Sequence, residues 1–379
     1  MRHRRVVVWL LEPPKAEKGA YNYLTRHWGA DVIYVFYNAL PEYRKQTAWG
    51  DGGFGDAKIL ELGCCPNKEN EVKKICEEYS GDIHIVTGFT NEFSPLVKKH
   101  INHKTAIMGI FTERPTFMGS VCERLLRHCY SFVRYSHFRL LYDKYTSFVL
   151  PTGLKAMNNY RHYGWKESKL FNFMYNPDIP DRYVSKTLNE NDEVRFVFIG
   201  RFYNKTKGVV DLVEASKRLK GKFQVCLVGG YGQDSETIIK ECEKIDKVNF
   251  IGSWKADEVV RNLSEYDVAV VPSRYDGWNL LANESIHAGI GCIISNEAVS
   301  QEVIMAANSG EVFDYSNVKE LATIMQRVIN DHEIVNTWKK NASAFVDRIS
   351  EETVGLYLID ILNYVCGYSQ KKPKCPWVK

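Results

Sequence analysis

The chain has 379 residues, 45% of them hydrophobic and 25% charged, a globular composition long enough for two cores of ordinary size. Nowhere do about 18 consecutive apolar residues occur, which excludes a membrane-spanning helix. A formal net charge of only +4, without a nucleic-acid-binding module, argues against a nucleic-acid binder. The charge is uneven: residues 1–188 hold 27 Lys and Arg against 19 Asp and Glu, and residues 189–379 hold 23 against 27. The first half is therefore the part suited to an anionic surface, a membrane face or a phosphate-bearing acceptor, unless its lysines are simply solvated.

The opening MRHRRVVVWLLEPP resembles the basic start of a signal peptide, but its apolar run is six residues long and ends at Glu12 without a small-residue cleavage site. It reads as a first buried strand. Further strand-like runs follow at VIYVFY (32–37), KILEL (58–62), DIHIVT (82–87), TAIMGIF (105–111), TSFVL (146–150) and LFNFMY (170–175). Stretches long enough for crossover helices separate most of them, the pattern of a parallel sheet covered on both faces. Residues 176–193, polar and acid-rich with two prolines, suit a linker. The rhythm restarts at RFVFIG (195–200), QVCLVGG (224–230), VNFIG (248–252), DVAVVPS (267–273), GCIIS (291–295) and GEVFD (310–314), and three helical stretches close the chain between Asn317 and Cys366. The fold class is α/β, with two Rossmann-like doubly wound domains facing across a cleft. Expected limits are 1–180 and 190–350, with 351–379 as a C-terminal helix and tail returning towards the first domain. Ten cysteines lack any metal-ligand spacing, and Cys64 and Cys65 are too close for an ordinary disulfide, so a reducing, cytoplasmic setting is expected.

Ligands of doubly wound sheets bind outside the carboxyl ends of the strands, where helix N-termini point. In RFVFIGRFYNKTKGVVDLVEA a strand ends at Gly200 and a helix starts near Gly208, with Arg201, Lys205 and Lys207 between them. Such a turn suits a diphosphate, or is a solvated basic turn. In PSRYDGWNLLANESIHAG (272–289) a strand runs through a loop into a helix capped by Asn279 and stopped by Gly289. Asp276 lies in the loop and Glu284 in the second helical turn. Carboxylates repel phosphates, so these acids are suited to hydroxyls, and the amides of Leu280 and Leu281 are left for phosphate. The ligand then carries both hydroxyls and phosphate.

The order and spacing of GR-x5-KG (200–208), LVGG (227–230), VNFIG, PS-x2-D-G-x3-L-x2-E (272–284) and GCIIS resemble family-4 retaining glycosyltransferases of the GT-B fold. The resemblance covers about residues 194–330. It is looser in the first domain, where only strand order and KGAYNYL fit. It implies that Arg201 and Lys207 neutralise the diphosphate of a UDP- or GDP-sugar with neither metal nor prosthetic group, that Glu284 holds the ribose, and that Asp276 contacts the donor sugar. It further implies that Leu280 and Leu281 give amides to the phosphates, and that backbone near Gly200, Gly229 and Gly252 lies close to the nucleotide. The family usually has Glu where Asp276 stands, so the sugar contact is altered or the loop moves in. Trp278 lines the sugar pocket or packs. Gly19, with Ala20 in place of a second glycine, matches the family's donor-facing loop or forms a surface turn. Glu113 in FTERP (111–115) is a general base or acceptor ligand if it faces the cleft, or else a helix cap.

Retention at the anomeric carbon, with the nucleoside diphosphate leaving, needs no protein nucleophile. The acceptor is expected to be a glycan or lipid-linked sugar of a surface polysaccharide, lipopolysaccharide or glycolipid. ERLLRHCYSFVRYSHFRLLYDKY (123–145) interleaves basic with aromatic and leucine residues, either lying on an anionic membrane or packing as a helix with a basic solvent face. The alternatives are a binding module that has lost turnover and, ranked lower, a sugar-nucleotide epimerase. His27, His84, His100, His103 and His287 read as structural or surface residues.

Overall fold

The computed structural model describes residues 4–14, 18–41, 53–177, 179, 182–230 and 232–378. Lys15, Ala16 and Glu17 of the KGAYNYL approach, and Asp178, Pro180 and Asp181 of the expected linker, lie outside the described residues. The chain divides into two compact units, Met1–Asp178 with Ser350–Pro376, and Ile179–Ile349 with Trp377–Lys379.

The first unit runs β1 (Arg4–Leu10), α1 (Lys18–His27), β2 (Ala30–Phe36), β3 (Lys58–Glu61), α2 (Lys68–Glu78), β4 (Ile83–Thr87), α3 (Phe93–His100), β5 (Ile107–Thr112), α4 (Val121–Tyr142), β6 (Phe148–Pro151) and α5 (Gly153–His162). Its strands are parallel in the order β3-β2-β1-β4-β5-β6. Val6, Val7, Val8 and Trp9 are fully buried, as a central parallel strand covered on both faces requires. The apolar run 170–175 is not a regular strand. It touches β6 through two isolated bridges, Val149 to Leu170 and Thr152 to Phe173, and is buried without adding a ladder.

The second unit runs β7 (Val194–Arg201), α6 (Asn204–Lys207), α7 (Val209–Ser216), β8 (Phe223–Gly230), α8 (Ser235–Cys242), β9 (Val248–Phe250), α9 (Val259–Leu263), β10 (Val268–Val271), α10 (Leu280–His287), β11 (Gly291–Ser295), α11 (Gln301–Ala307), β12 (Gly310–Phe313), α12 (Val318–Asn330) and α13 (His332–Phe345). The order β12-β11-β10-β7-β8-β9 repeats that of the first unit, counted from each unit's own first strand. Part of the expected linker belongs to this unit's body: Leu188 lies in its core, and its amide donates to Asn336 Oδ1 at 2.9 Å.

The last helix, α14 (Glu351–Val365), packs on α1 of the first unit. Ser350 caps it, and Gly355 lets the two helices approach so closely that a Cβ there would lie 2.4 Å from Tyr23. In both sheets the winding reverses beside the first strand, between β1 and β4 and between β7 and β10. Those reversals are where loops diverge and leave a crevice for a ligand.

Candidate functional site

The loops after β7 and β10 carry the motifs expected to bind a donor. After β7 the chain makes the single turn α6, passes Gly208 at φ 63° and enters α7. A Cβ at position 208 would stand 2.0 Å from the Pro272 carbonyl oxygen, so the left-handed backbone and the approach of the β10 loop both require glycine. The Thr206 carbonyl accepts hydrogen bonds from the amides of Arg274 at 2.8 Å and Tyr275 at 3.2 Å. These bonds stitch the two loops together and set Lys207 against Asp276.

Lys207 Nζ donates to Asp276 Oδ2 at 2.6 Å. The same oxygen accepts from Asn279 Nδ2 at 2.7 Å and from Ser273 Oγ at 3.2 Å. No described residue hydrogen-bonds Oδ1, so the carboxylate is anchored through one oxygen. Sequence reasoning gave Lys207 and Asp276 separate tasks; the fold joins them in one ion pair.

Asn279 caps α10, its Oδ1 accepting the Leu281 amide at 3.0 Å. This corrects the expectation that the Leu281 amide is left for phosphate, since the cap already takes it. Leu280, half-buried, stands at the open end of the helix. Glu284 is 4% exposed in the second turn. Trp278 is equally enclosed, and its Nε1 donates to Asn283 Oδ1 at 2.8 Å, so of its two readings the geometry favours packing.

Gly200, Gly229 and Gly252 meet at the carboxyl ends of adjacent strands. Gly200 pairs with Gly229 in the β7–β8 register, and the Gly229 amide donates to the Gly252 carbonyl at 2.7 Å. A Cβ on Gly229 would lie 2.0 Å from the Gly200 carbonyl oxygen. Arg201, the last residue of β7, is exposed, and its guanidinium has no hydrogen bond or ion pair with a described residue. It is a solvated cation at a strand end, as a diphosphate site needs.

Sequence reasoning passed over Arg274. Its Nε and Nη2 clamp Asp211 of α7 at 3.0 and 2.6 Å, the carboxylate being 8% exposed. The available signal was Asp211 itself, an acid in the apolar run VVDLV that requires a buried cationic partner. Arg274 also borders an open cavity of about 510 Å³ with Tyr203, Asn204, Lys205, Gln233 and Asp234. Lys205 thus lies in a different setting from Lys207.

Gly19 and Glu113 belong to the first unit. Gly19 does not form a surface turn: it is buried in α1, and its amide donates to the Asn176 carbonyl at 3.1 Å. A Cβ there would come 2.4 Å from Asn176 Oδ1, so this glycine serves packing, and its amide is taken before any phosphate arrives. Glu113, just past β5, is half-buried. Its Oε1 accepts from the Tyr175 hydroxyl at 2.8 Å and its carbonyl from the Tyr160 hydroxyl at 3.0 Å. Its carboxylate is held by a tyrosine and does not cap the following helix; Ser120 and Glu123 form the capping box of α4.

Residues 181–345 match the model of the family described as glycosyl transferases group 1. An uncharacterized glycosyltransferase of Methanocaldococcus jannaschii is 28% identical over 180 residues, 45% of this chain and 46% of that protein, so the match spans about half the relative's length. Among solved structures, the lipopolysaccharide outer core galactosyltransferase WaaB has a TM-score of 0.65 at 13% identity, covering 96% of this chain and 99% of that one. HepE of Anabaena in complex with UDP has a TM-score of 0.72 at 13% identity, covering 95% and 99%. These likenesses show an α/β fold of two doubly wound domains, as in GT-B glycosyltransferases.

Proposed function

We propose, from the premise that residues 181–345 belong to the glycosyl transferases group 1 family, that this chain moves a sugar from a nucleoside-diphosphate sugar to a glycan or lipid-linked acceptor with retention at the anomeric carbon. The observation that carries the reading is the Lys207–Asp276 pair at the winding reversal of the second sheet, with Arg201 at the end of β7. The second unit takes the donor and the first unit the acceptor. The UDP held by the Anabaena relative makes UDP-sugars the first donors to try. The lipopolysaccharide relative makes surface glycans the first acceptors to try.

In this mechanism negative charge grows on the leaving diphosphate as the glycosidic bond breaks. Arg201 and Lys207 neutralise that charge without a metal, and the open end of α10 adds its dipole. Asp276 Oδ1 accepts a hydroxyl of the donor sugar and Glu284 those of the ribose. The acceptor attacks from the face the diphosphate leaves, so no side chain becomes covalently attached.

The test is a thermal-shift panel of UDP-, GDP- and ADP-sugars without metal, on wild type and Arg201→Ala. One nucleotide class should raise the melting temperature of wild type by mass action and leave the variant unmoved. Turnover with that donor should persist in a chelator and fall by roughly a hundredfold or more in Arg201→Ala and in Lys207→Ala. Near-wild-type kinetics in both variants would sink the mechanism. Nucleotide binding without turnover of any sugar donor would point instead to a binding module.

A further inference from the structure

The cavity bordered by Tyr203, Asn204, Lys205, Gln233, Asp234 and Arg274 lies apart from the Lys207–Asp276 pair. Its volume, about 510 Å³, falls within the roughly 300–1,000 Å³ of small-molecule sites. Lys205 and Lys207 are two residues apart in the helical turn α6, so their side chains leave it about 200° apart. Lys207 goes to Asp276, and Lys205 goes to the cavity. Arg274 divides from its own neighbour in the same way: it turns to Asp211 and the cavity wall, while Asp276 turns to Lys207.

Three of the bordering side chains are each fixed through part of their polar surface. Asn204 Oδ1 accepts the Val210 amide at 3.1 Å, Arg274 commits Nε and Nη2 to Asp211, and Asp234 Oδ2 accepts the Asn204 amide at 2.7 Å. No described residue hydrogen-bonds Asn204 Nδ2, Arg274 Nη1 or Asp234 Oδ1. Asp234 stands at the N-cap position of α8, where an aspartate normally accepts a helix amide, yet its side chain caps nothing. The loop that carries it is pinned to the β7 loop: the Asp234 amide donates to the Phe202 carbonyl at 3.1 Å, and a Cβ on Gly232 would lie 2.3 Å from that same oxygen. The carboxylate is thus held at the cavity wall by the neighbouring turn instead of by its own helix. Polar groups fixed beforehand in this way lose little freedom when a ligand arrives.

The charges of the wall select the ligand class. Lys205 and Arg274 are matched by Asp234 and by Asp211, which Arg274 clamps, so these groups carry no net charge together. A phosphate or polyphosphate needs an excess of cations. An apolar ligand would strip water from Asn204, Gln233 and Asp234 without replacing their hydrogen bonds. We propose that this cavity binds a neutral saccharide unit, a second carbohydrate site separate from Lys207 and Asp276. Each sugar hydroxyl both donates and accepts, so neighbouring hydroxyls donate to Asp234 Oδ1 and accept from Arg274 Nη1 and Asn204 Nδ2. Gln233 and Lys205, both exposed, add hydrogen bonds at the rim, and the Tyr203 ring meets the C–H face of the sugar. The inference goes beyond the proposed transfer reaction and does not rest on it, because binding is read without turnover.

The experiment is saturation-transfer NMR on the full chain with glucose, galactose and N-acetylglucosamine, and with maltose, lactose and chitobiose, at millimolar concentration. At least one of these sugars should receive saturation, and inorganic phosphate at equal concentration should not displace it. Asp234→Asn keeps an acceptor for the Asn204 amide and puts an N–H in place of the other carboxylate oxygen. It should weaken binding by about tenfold or more, the usual consequence of losing a hydrogen bond to a charged group. Lys205→Ala with Gln233→Ala should weaken it several-fold at an unchanged unfolding midpoint, both positions being exposed. Asp276→Ala should leave sugar binding unchanged, which separates this site from the donor site whether or not the chain proves to be a transferase. A disaccharide held about tenfold more tightly than its monosaccharide would identify a glycan chain as the occupant, and equal binding a free sugar. No saturation of any of the six sugars, displacement by phosphate, wild-type binding by Asp234→Asn, or loss of binding in Asp276→Ala would each overturn the inference.

Discussion

Asp276 receives three hydrogen bonds on one oxygen, and only the one from Lys207 carries charge. With the residue 9% exposed, removing Lys207 leaves a largely buried carboxylate with two neutral donors. Lys207→Ala and Asp276→Ala should each destabilise the second unit by roughly 1–3 kcal/mol, the usual consequence of leaving one partner of a buried polar contact behind. The double variant should lose clearly less than the sum, because the second deletion removes a group that the first had already orphaned. Urea unfolding of all four proteins measures this, and additivity within about 0.5 kcal/mol would show that the two groups are not coupled. Lys207, Asp276 and Glu284 are legible in the sequence because a strand end followed by a helix start marks where a doubly wound sheet binds. The pairing is not, since Lys207 and Asp276 stand 69 residues apart and only the strand order makes their loops neighbours. Arg274 and Asp211, 63 residues apart, escape notice for the same reason.

The carboxyl ends of β7, β8 and β9 in the second unit set a sharper demand on backbone than on side chains. Gly229 and Gly252 both have positive φ, 124° and 78°, yet their surroundings differ. A methyl group on Gly229 meets the Gly200 carbonyl at 2.0 Å, while one on Gly252 finds nothing within 4 Å. Gly252→Ala should therefore cost only the left-handed penalty, about 1–2 kcal/mol. Gly229→Ala should cost several kcal/mol more, or prevent folding, because β7 and β8 must part to admit it. Equal unfolding midpoints for the two variants would refute the contrast. At this scale the sequence is a good guide wherever strands are central. VVVWLL and DVAVVPS read as continuous apolar runs because both faces of β1 and β10 are buried. LFNFMY misleads for the same physical reason. Its side chains are buried, but burial reports an enclosed segment and not a hydrogen-bonded ladder, and only two bridges form. The stretch containing α4 stays ambiguous in sequence because periodicity reveals an apolar stripe without saying which side of it the protein occupies.

Each unit of the molecule also encloses a histidine that folding keeps neutral. In the first, His84 on β4 accepts from Trp9 Nε1 at 3.1 Å through Nδ1, so the ring proton must sit on Nε2, which faces the Tyr79 carbonyl at 3.0 Å. A second proton on Nδ1 would confront the indole N–H, and burial pushes this histidine down to about 4. In the second, His287 on α10 is lowered to about 4 by burial and then by the Arg182 guanidinium, and its Nδ1 has no partner to receive a donated proton. Both folded values lie below the ordinary 6.5 of an unfolded histidine, so between these limits the unfolded chain binds more protons than the native one. Stability from these two sites is complete above pH 6.5 and is lost as pH falls towards 4, by roughly 2 kcal/mol per histidine between pH 7 and pH 5. Because the histidines reside in separate units, acid should weaken both, and urea unfolding at the two pH values should show each transition moving to lower denaturant. His84→Gln should flatten the pH response of the first unit alone, and His287→Gln that of the second. If either variant retains the full wild-type slope, protons taken up elsewhere, on carboxylates for instance, control that unit's acid sensitivity.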